Sequence, residues 1–89
     1  MKYSISILAA SAVLGTAQAA TAATEVEFWH AFTGRLGELV AEQVETFNSS
    51  QSDYTVVATH KGNYSETLNA GIAAFRAGEQ PDILMVFEV

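Results

Sequence analysis

Ile83-Leu84-Met85-Val86-Phe87-Glu88 is the stretch that decides the fold. Five apolar residues without alternation predict a strand covered on both faces, as in the interior of a parallel sheet, with one carboxylate at its carboxyl end. Pro81-Asp82 sets its start, because proline cannot prolong a preceding helix and suits a turn or a strand edge. A lone carboxylate there is either the point where the strand meets water, the usual fate of a charge, or a group aimed at a ligand. The other elements bear on that choice.

Upstream, Glu25 to Trp29 alternates acidic and apolar residues and carries β-branched and aromatic side chains, which predicts a first strand. His30 to Gly34 is a loop, with Thr33 as an N-cap candidate and Gly34 free to turn the backbone. From Arg35, the apolar positions Leu36, Leu39, Val40, Val44 and Phe47 fall on one helical face, and Glu38, Glu42 and Glu45 take the wet side. Asn48-Ser49-Ser50 is expected to end that helix, asparagine tolerating the left-handed conformation of a C-terminal cap. Tyr54 to Thr59 predicts a second strand, and Lys61-Gly62-Asn63 a turn. A second amphipathic helix starts near Tyr64 or Ser65, with Leu68, Ile72 and Phe75 on one face. Gly71, which costs about 1 kcal/mol relative to alanine in mid-helix, points to a close neighbour there. Gly78 stands where a helix C-terminus favours glycine.

Strand, helix, strand, helix, strand with right-handed crossovers predicts an α/β fold, βαβαβ with strand order 2-1-3. Ligands of open α/β sheets bind beyond the carboxyl ends of the strands where the chain reverses its direction of travel across the sheet. Trp29 and His30, Gly62 to Ser65, and Glu88 converge at that point. The convergence favours a ligand role for Glu88.

The amino terminus has a different origin. Lys2, the apolar run Ile5 to Leu14 and the small-x-small sequence Ala17-Gln18-Ala19 predict a secretory signal peptide over residues 1–19, cut before Ala20, with Ala20-Thr21-Ala22 as a second frame. The run is shorter than the roughly 20 residues that span a bilayer. The chain has no cysteine, which excludes an N-terminal lipid anchor on that residue and any disulfide. Residues 20–89 retain three basic residues and all ten acidic ones, so the net charge deepens from −6 to −7. Such a balance argues against nucleic acid and anionic membranes as partners. A domain this small without staples is marginal by itself, and Val89 falls inside a predicted strand. The expected organisation is therefore that residues 20–89 are the amino-terminal piece of a longer exported protein.

The chemistry is that of binding. No G-x-G-x-x-G follows the first strand, and neither a P-loop nor a nucleophile elbow occurs, so no reaction and no cofactor are visible. His30 and His60 lack a third ligand at metal spacing, and no metal is expected. Asn48-Ser49-Ser50 and Asn63-Tyr64-Ser65 match the glycosylation pattern, a match that arises often by chance. A carboxylate, a tyrosine and a tryptophan at one cleft suit a polyol: the acid accepts from hydroxyls, and an aromatic face covers the carbon skeleton. The amino end of the second helix, with Lys61 just before it, favours an anion. A phosphorylated polyol satisfies both. Against this, Tyr64 can equally be a half-buried aromatic at a helix start, and Trp29 hinge or core packing.

Phe28-Trp29-His30, Lys61-Gly62-Asn63-Tyr64, the stretch Ala70 to Gly78 and Ile83 to Val89 resemble the amino-terminal part of the periplasmic sn-glycerol-3-phosphate-binding proteins of ABC importers. These form part of the extracellular solute-binding proteins of the carbohydrate-importer group. The resemblance covers essentially all of residues 20–89, and Phe87 stands where tyrosine is expected. It implies a soluble two-lobed periplasmic protein that is not an enzyme. Such a protein closes on sn-glycerol 3-phosphate and delivers it to permease subunits served by a cytoplasmic ATPase. It also implies that Tyr64 and Glu88 contact the ligand, with Trp29, His30 and Ser65 as further candidates. The competing expectations are a binding protein for an uncharged sugar or a glycerophosphodiester, an exported α/β hydrolase or phosphatase using Glu88 as a base, and a domain that only binds other proteins.

Overall fold

A computed structural model describes residues 21–88 of the 89-residue chain. The predicted signal peptide, residues 1–19, lies outside the described residues, as does Val89. The elements are β1 (Thr24–His30), α1 (Gly34–Ser50), β2 (Tyr54–His60), α2 (Tyr64–Arg76) and β3 (Ile83–Leu84). All strands are parallel, in the order β2-β1-β3. The α/β class, the βαβαβ order and the 2-1-3 arrangement are those the sequence predicts.

β1 pairs with β2 along its whole length, from Thr24 opposite Tyr54 to His30 opposite His60. On its other edge only Phe28 and Trp29 pair with Ile83 and Leu84. Two further backbone bonds flank this pairing, from the Asp82 N–H to the Glu27 carbonyl at 3.0 Å and from the Met85 N–H to the Trp29 carbonyl at 2.9 Å, and the second ends the ladder. Here the structure corrects the sequence reading of a strand running to Glu88 and covered on both faces. Continuing the register would set Val86 opposite Ala31, but β1 has by then turned into the loop before α1, and no strand remains to pair with. Val86, Phe87 and Glu88 are exposed, and so is Ile83.

The two crossovers are held differently. α1 lies along β2, burying Val40 and half-burying Val44. Its carboxyl end falls at Ser50, within the expected Asn48-Ser49-Ser50 stretch, but not by the expected left-handed asparagine: Asn48 is helical, and among the described residues only glycines have a positive φ. The Asn48 side chain instead donates to the Val56 carbonyl at 3.0 Å and accepts from the Val56 N–H at 2.8 Å. The Gln51 amide treats Tyr54 in the same way, at 2.8 Å in both directions. Two side-chain amides thus stand in for a neighbouring strand at the outer edge of β2, which would otherwise leave these backbone groups unpaired.

α2 packs against β1 and β3 through Thr67 and Gly71, both buried, and not through the predicted stripe of Leu68, Ile72 and Phe75, whose side chains are exposed. The close neighbour anticipated at Gly71 is Leu84: a Cβ on Gly71 would lie 2.5 Å from its Cδ2. That approach, one turn beyond Thr67, fixes which face of α2 meets the sheet. Gly78, at φ +75°, closes the helix as expected.

Candidate functional site

The site is assembled at the carboxyl ends of the strands from the start of α2 outward. Asn63 is its N-cap. The Asn63 carboxamide accepts from the Glu66 N–H, the Glu66 carboxylate accepts from the Asn63 N–H, and both distances are 2.8 Å. This capping box satisfies two of the amide groups that a helix start leaves open. Gly62, at φ +117°, makes it possible, because a side chain there would collide with the Glu66 side chain. Thr67, fully buried, directs its hydroxyl toward the carbonyls of Gly62 at 3.4 Å and His30 at 3.5 Å, tying the first turn to the end of β1. Among the described residues, the Tyr64 and Ser65 N–H groups have no hydrogen-bond partner. The open part of the helix end is therefore narrower than the sequence alone implies.

Both asparagines of the glycosylation pattern are committed, Asn48 to the edge of β2 and Asn63 to the cap. Their structural roles account for them without that modification.

The predicted site residues separate into three groups. Tyr64, 38% exposed, meets Phe87 with ring centroids 5.0 Å apart and planes inclined by 51°. Tyr64, Ser65, Leu68, Val86 and Phe87 line a hollow of about 200 Å³. Glu88 follows Phe87 directly and is exposed, with no hydrogen-bond partner among the described residues. Trp29 is half-buried, and one face of its indole carries the Lys61 ammonium 4.0 Å from the ring centroid. His30 is buried at 7% exposure. Its ring stands 5.5 Å from Phe28 and 5.8 Å from His60 between centroids, and its Nδ1 accepts from the Phe32 N–H at 3.2 Å. Burial first, and the neighbouring His60 second, hold the His30 pKa below the ordinary histidine value. A neutral imidazole accepting at Nδ1 carries its proton on Nε2.

The start of α2 and the end of β3 thus bring Tyr64 and Ser65 beside Phe87, the residue before Glu88, while His30 belongs to the packing beneath. The sequence reading did not draw on Phe87 as a wall, although an aromatic residue beside the convergent carboxylate was visible there. It also missed Thr67, whose polar type gave no sign of full burial. Among the described residues, no group of three side chains could hold a metal ion.

The lining is aromatic and aliphatic apart from the Ser65 hydroxyl and the Tyr64 phenol, which suits the carbon skeleton of a small ligand. The open N–H donors at the helix start and the carboxylate that follows Phe87 in sequence are groups that hydrogen-bond polar atoms. Curated relatives match most of this chain. The chain is 49% identical over 83 residues to the sn-glycerol-3-phosphate-binding periplasmic protein UgpB of Brucella abortus (strain 2308), 93% of this chain and 19% of that protein. It is 54% identical over 74 residues to the protein of the same name from Rhizobium meliloti (strain 1021), 83% of this chain and 17% of that one. The Yersinia pestis counterpart is 53% identical over 70 residues, 79% and 16%. The chain is similar in sequence to these binding proteins over most of its own length. It spans less than a fifth of the length of the curated relatives it matches. No family model matches it. The relatives are named as binding proteins and as periplasmic, and among the described residues no helix is long and apolar enough to cross a membrane.

Proposed function

We propose that this chain is the beginning of a periplasmic substrate-binding protein that captures sn-glycerol 3-phosphate and hands it to the permease of an ABC importer powered by a cytoplasmic ATPase. The observation that carries this reading is the identity of about half of all residues, over most of the chain, with proteins named for that ligand. Residues 1–19 are the export signal, and residues 20–89 begin the amino-terminal lobe. The protein is a carrier, not an enzyme: closure of two lobes traps the ligand unchanged, driven by tighter binding in the closed state.

In this reading Glu88 accepts from the glycerol hydroxyls, and the Tyr64 hydroxyl points toward the phosphate end, with Ser65 beside it. Trp29 and His30 are further candidates, and the placement of His30 makes it a support for the loop before α1.

Calorimetric titration of the full-length mature protein with sn-glycerol 3-phosphate, and with maltose in parallel, tests the proposal. One-site binding of the phosphate ester alone is expected, followed by losses of well over threefold in affinity for Glu88→Gln and Tyr64→Phe. Losses below threefold in both variants would sink the residue assignment. Binding of the sugar alone would discard the ligand, and release of inorganic phosphate on incubation would turn the protein into a hydrolase.

A further inference from the structure

Only three basic residues occur in residues 21–88, against ten acidic ones, and two of the three are occupied or remote. Arg35 pairs with Glu38 at 3.5 Å and Glu42 at 3.7 Å on the wet side of α1. Arg76 ends α2, about 18 Å along the helix from Tyr64 at the usual rise per residue. Lys61 differs from both. It has no carboxylate within ion-pair distance among the described residues, and it lies where β2 ends and the turn into α2 begins. Its backbone N–H donates to the His30 carbonyl at 2.9 Å, and its ammonium sits 4.0 Å above the Trp29 ring. Both ends of the side chain are therefore restrained.

A surface lysine ordinarily directs its ammonium into water or toward a carboxylate. Here an aromatic face takes one side of the ammonium, which leaves its other N–H groups free to donate. Trp29 and Leu84 are register partners, and Leu84 packs on Gly71, so the indole lies on the face of the sheet that α2 covers. The ammonium is thus held on the sheet face that α2 covers, at the strand end from which the chain enters the helix with the open Tyr64 and Ser65 amides.

We infer that Lys61, positioned by the Trp29 ring, supplies the counter-charge for the anionic end of the ligand and sets the preference for a phosphate monoester over ligands of lower charge. The inference rests on the proposed function and adds to it a residue and a reason for specificity. Trp29 acts in it as a positioning residue whose ring face is taken by the lysine.

The test uses the full-length protein with sn-glycerol 3-phosphate, titrated calorimetrically at about 0.02 M and 0.2 M salt, where the screening length differs about threefold. Lys61→Met, which retains the chain length, is expected to weaken binding about tenfold or more at low salt and to flatten the salt dependence. Lys61→Arg is expected to stay within about threefold of the parent, because charge and stacking on the indole both survive. Trp29→Leu, which leaves the charge but releases it, is expected to lose about threefold to tenfold, and it keeps the inference testable if Lys61→Met does not fold. Affinity within threefold for Lys61→Met, equal losses for the Met and Arg variants, or an unchanged Trp29→Leu would each overturn the inference and leave the ligand assignment standing. A parent protein that does not bind the phosphate ester at all overturns both.

Discussion

The two helices start at the same side of the sheet, each just beyond a strand's carboxyl end, yet they are anchored at opposite termini. α2 is fixed where it begins, by the capping box of Asn63 and Glu66 and the buried Thr67 hydroxyl. α1 begins at Thr33 without a side-chain cap and with no acidic residue in its first turn, and it is fixed where it ends, by Asn48 and Gln51 on the free edge of β2. Helix starts at the carboxyl ends of parallel strands face the ligand side of such a sheet, and helix ends face away from it. Rigidity is therefore placed at the candidate site in the second crossover and at the opposite pole in the first. The second crossover is also the one that carries Tyr64, Ser65 and Lys61.

The largest effect on this contrast is expected from the contact that seats α2. Gly71→Val places branched carbon where Leu84 already stands, with Cδ2, Cδ1 and Cγ at 2.5, 3.0 and 3.3 Å from the position of a Cβ. Overpacking of this kind costs about 2 kcal/mol. In the full-length protein it should appear as a lower midpoint of chemical denaturation together with weaker ligand binding, because the helix start moves with the helix. A variant with unchanged affinity and reduced stability would separate the seat of α2 from the site. Next comes the opposite pole. Asn48→Ala leaves the Val56 N–H and carbonyl without partners, a loss of about 1 to 2 kcal/mol. Ligand affinity should hold within twofold, and a large loss of affinity would erase the distinction between the two anchors.

How much of this was legible in the sequence follows the range of the forces involved. Strand order and crossovers came from periodicity and chain order, which are local patterns with few global solutions. The close approach at Gly71 was legible because a glycine in mid-helix needs a reason. The extent of β3 was not legible, since five apolar residues encode a strand whether or not a partner continues beside them. Here β1 ends at His30 and the ladder ends with it. The stripe of Leu68, Ile72 and Phe75 was read as the inner face of α2, but a hydroxyl bonded to two carbonyls and a glycine met by Leu84 define that face instead. The capping box was present as Asn63-Tyr64-Ser65-Glu66 and needed only the spacing rule for asparagine and glutamate. For the site, Tyr64 and Ser65 beside Phe87 follow from element order, whereas the stacking of Lys61 on Trp29 depends on which face each strand end presents, a property set by register.

The two helix starts differ in what their capping residues contribute. Asn63→Ala removes the acceptor for the Glu66 N–H and should cost about 1 kcal/mol. Thr33→Ala removes a side chain that makes no capping bond, so stability should stay within about 0.5 kcal/mol. Equal costs at the two positions would show that Thr33 caps α1 in solution and that the asymmetry is smaller than the structure displays.

The smallest effect concerns the residue that joins the two starts. The His30 carbonyl accepts from the Lys61 N–H and the Thr67 hydroxyl on the α2 side, while its ring Nδ1 accepts from the Phe32 N–H on the α1 side. The uncapped start of α1 is therefore steadied by an imidazole that must remain neutral to accept. Protonation would place a donor against the Phe32 N–H and a positive charge in a buried position beside His60. Because burial, and secondarily His60, lower the pKa of His30 in the folded state, the unfolded chain takes up the proton first as pH falls. His30 thus leaves stability undiminished well above the unfolded value of about 6.5 and lowers it as pH falls through that value toward the depressed folded one. Below the folded pKa, no further loss comes from this group. Denaturation midpoints of the full-length protein between pH 8 and pH 5 should show this decline, and His30→Gln, which offers a neutral acceptor at all pH values, should flatten it. Hydrogen exchange gives the sharper readout: at low pH the protection of the Phe32 amide and the first turn of α1, relative to intrinsic exchange at the same pH, should fall, while the amides held by the capping box of α2 stay protected. Loss of protection at both helix starts together would mean that His30 supports them as one unit, and the division between the two crossovers would then hold only for their far ends.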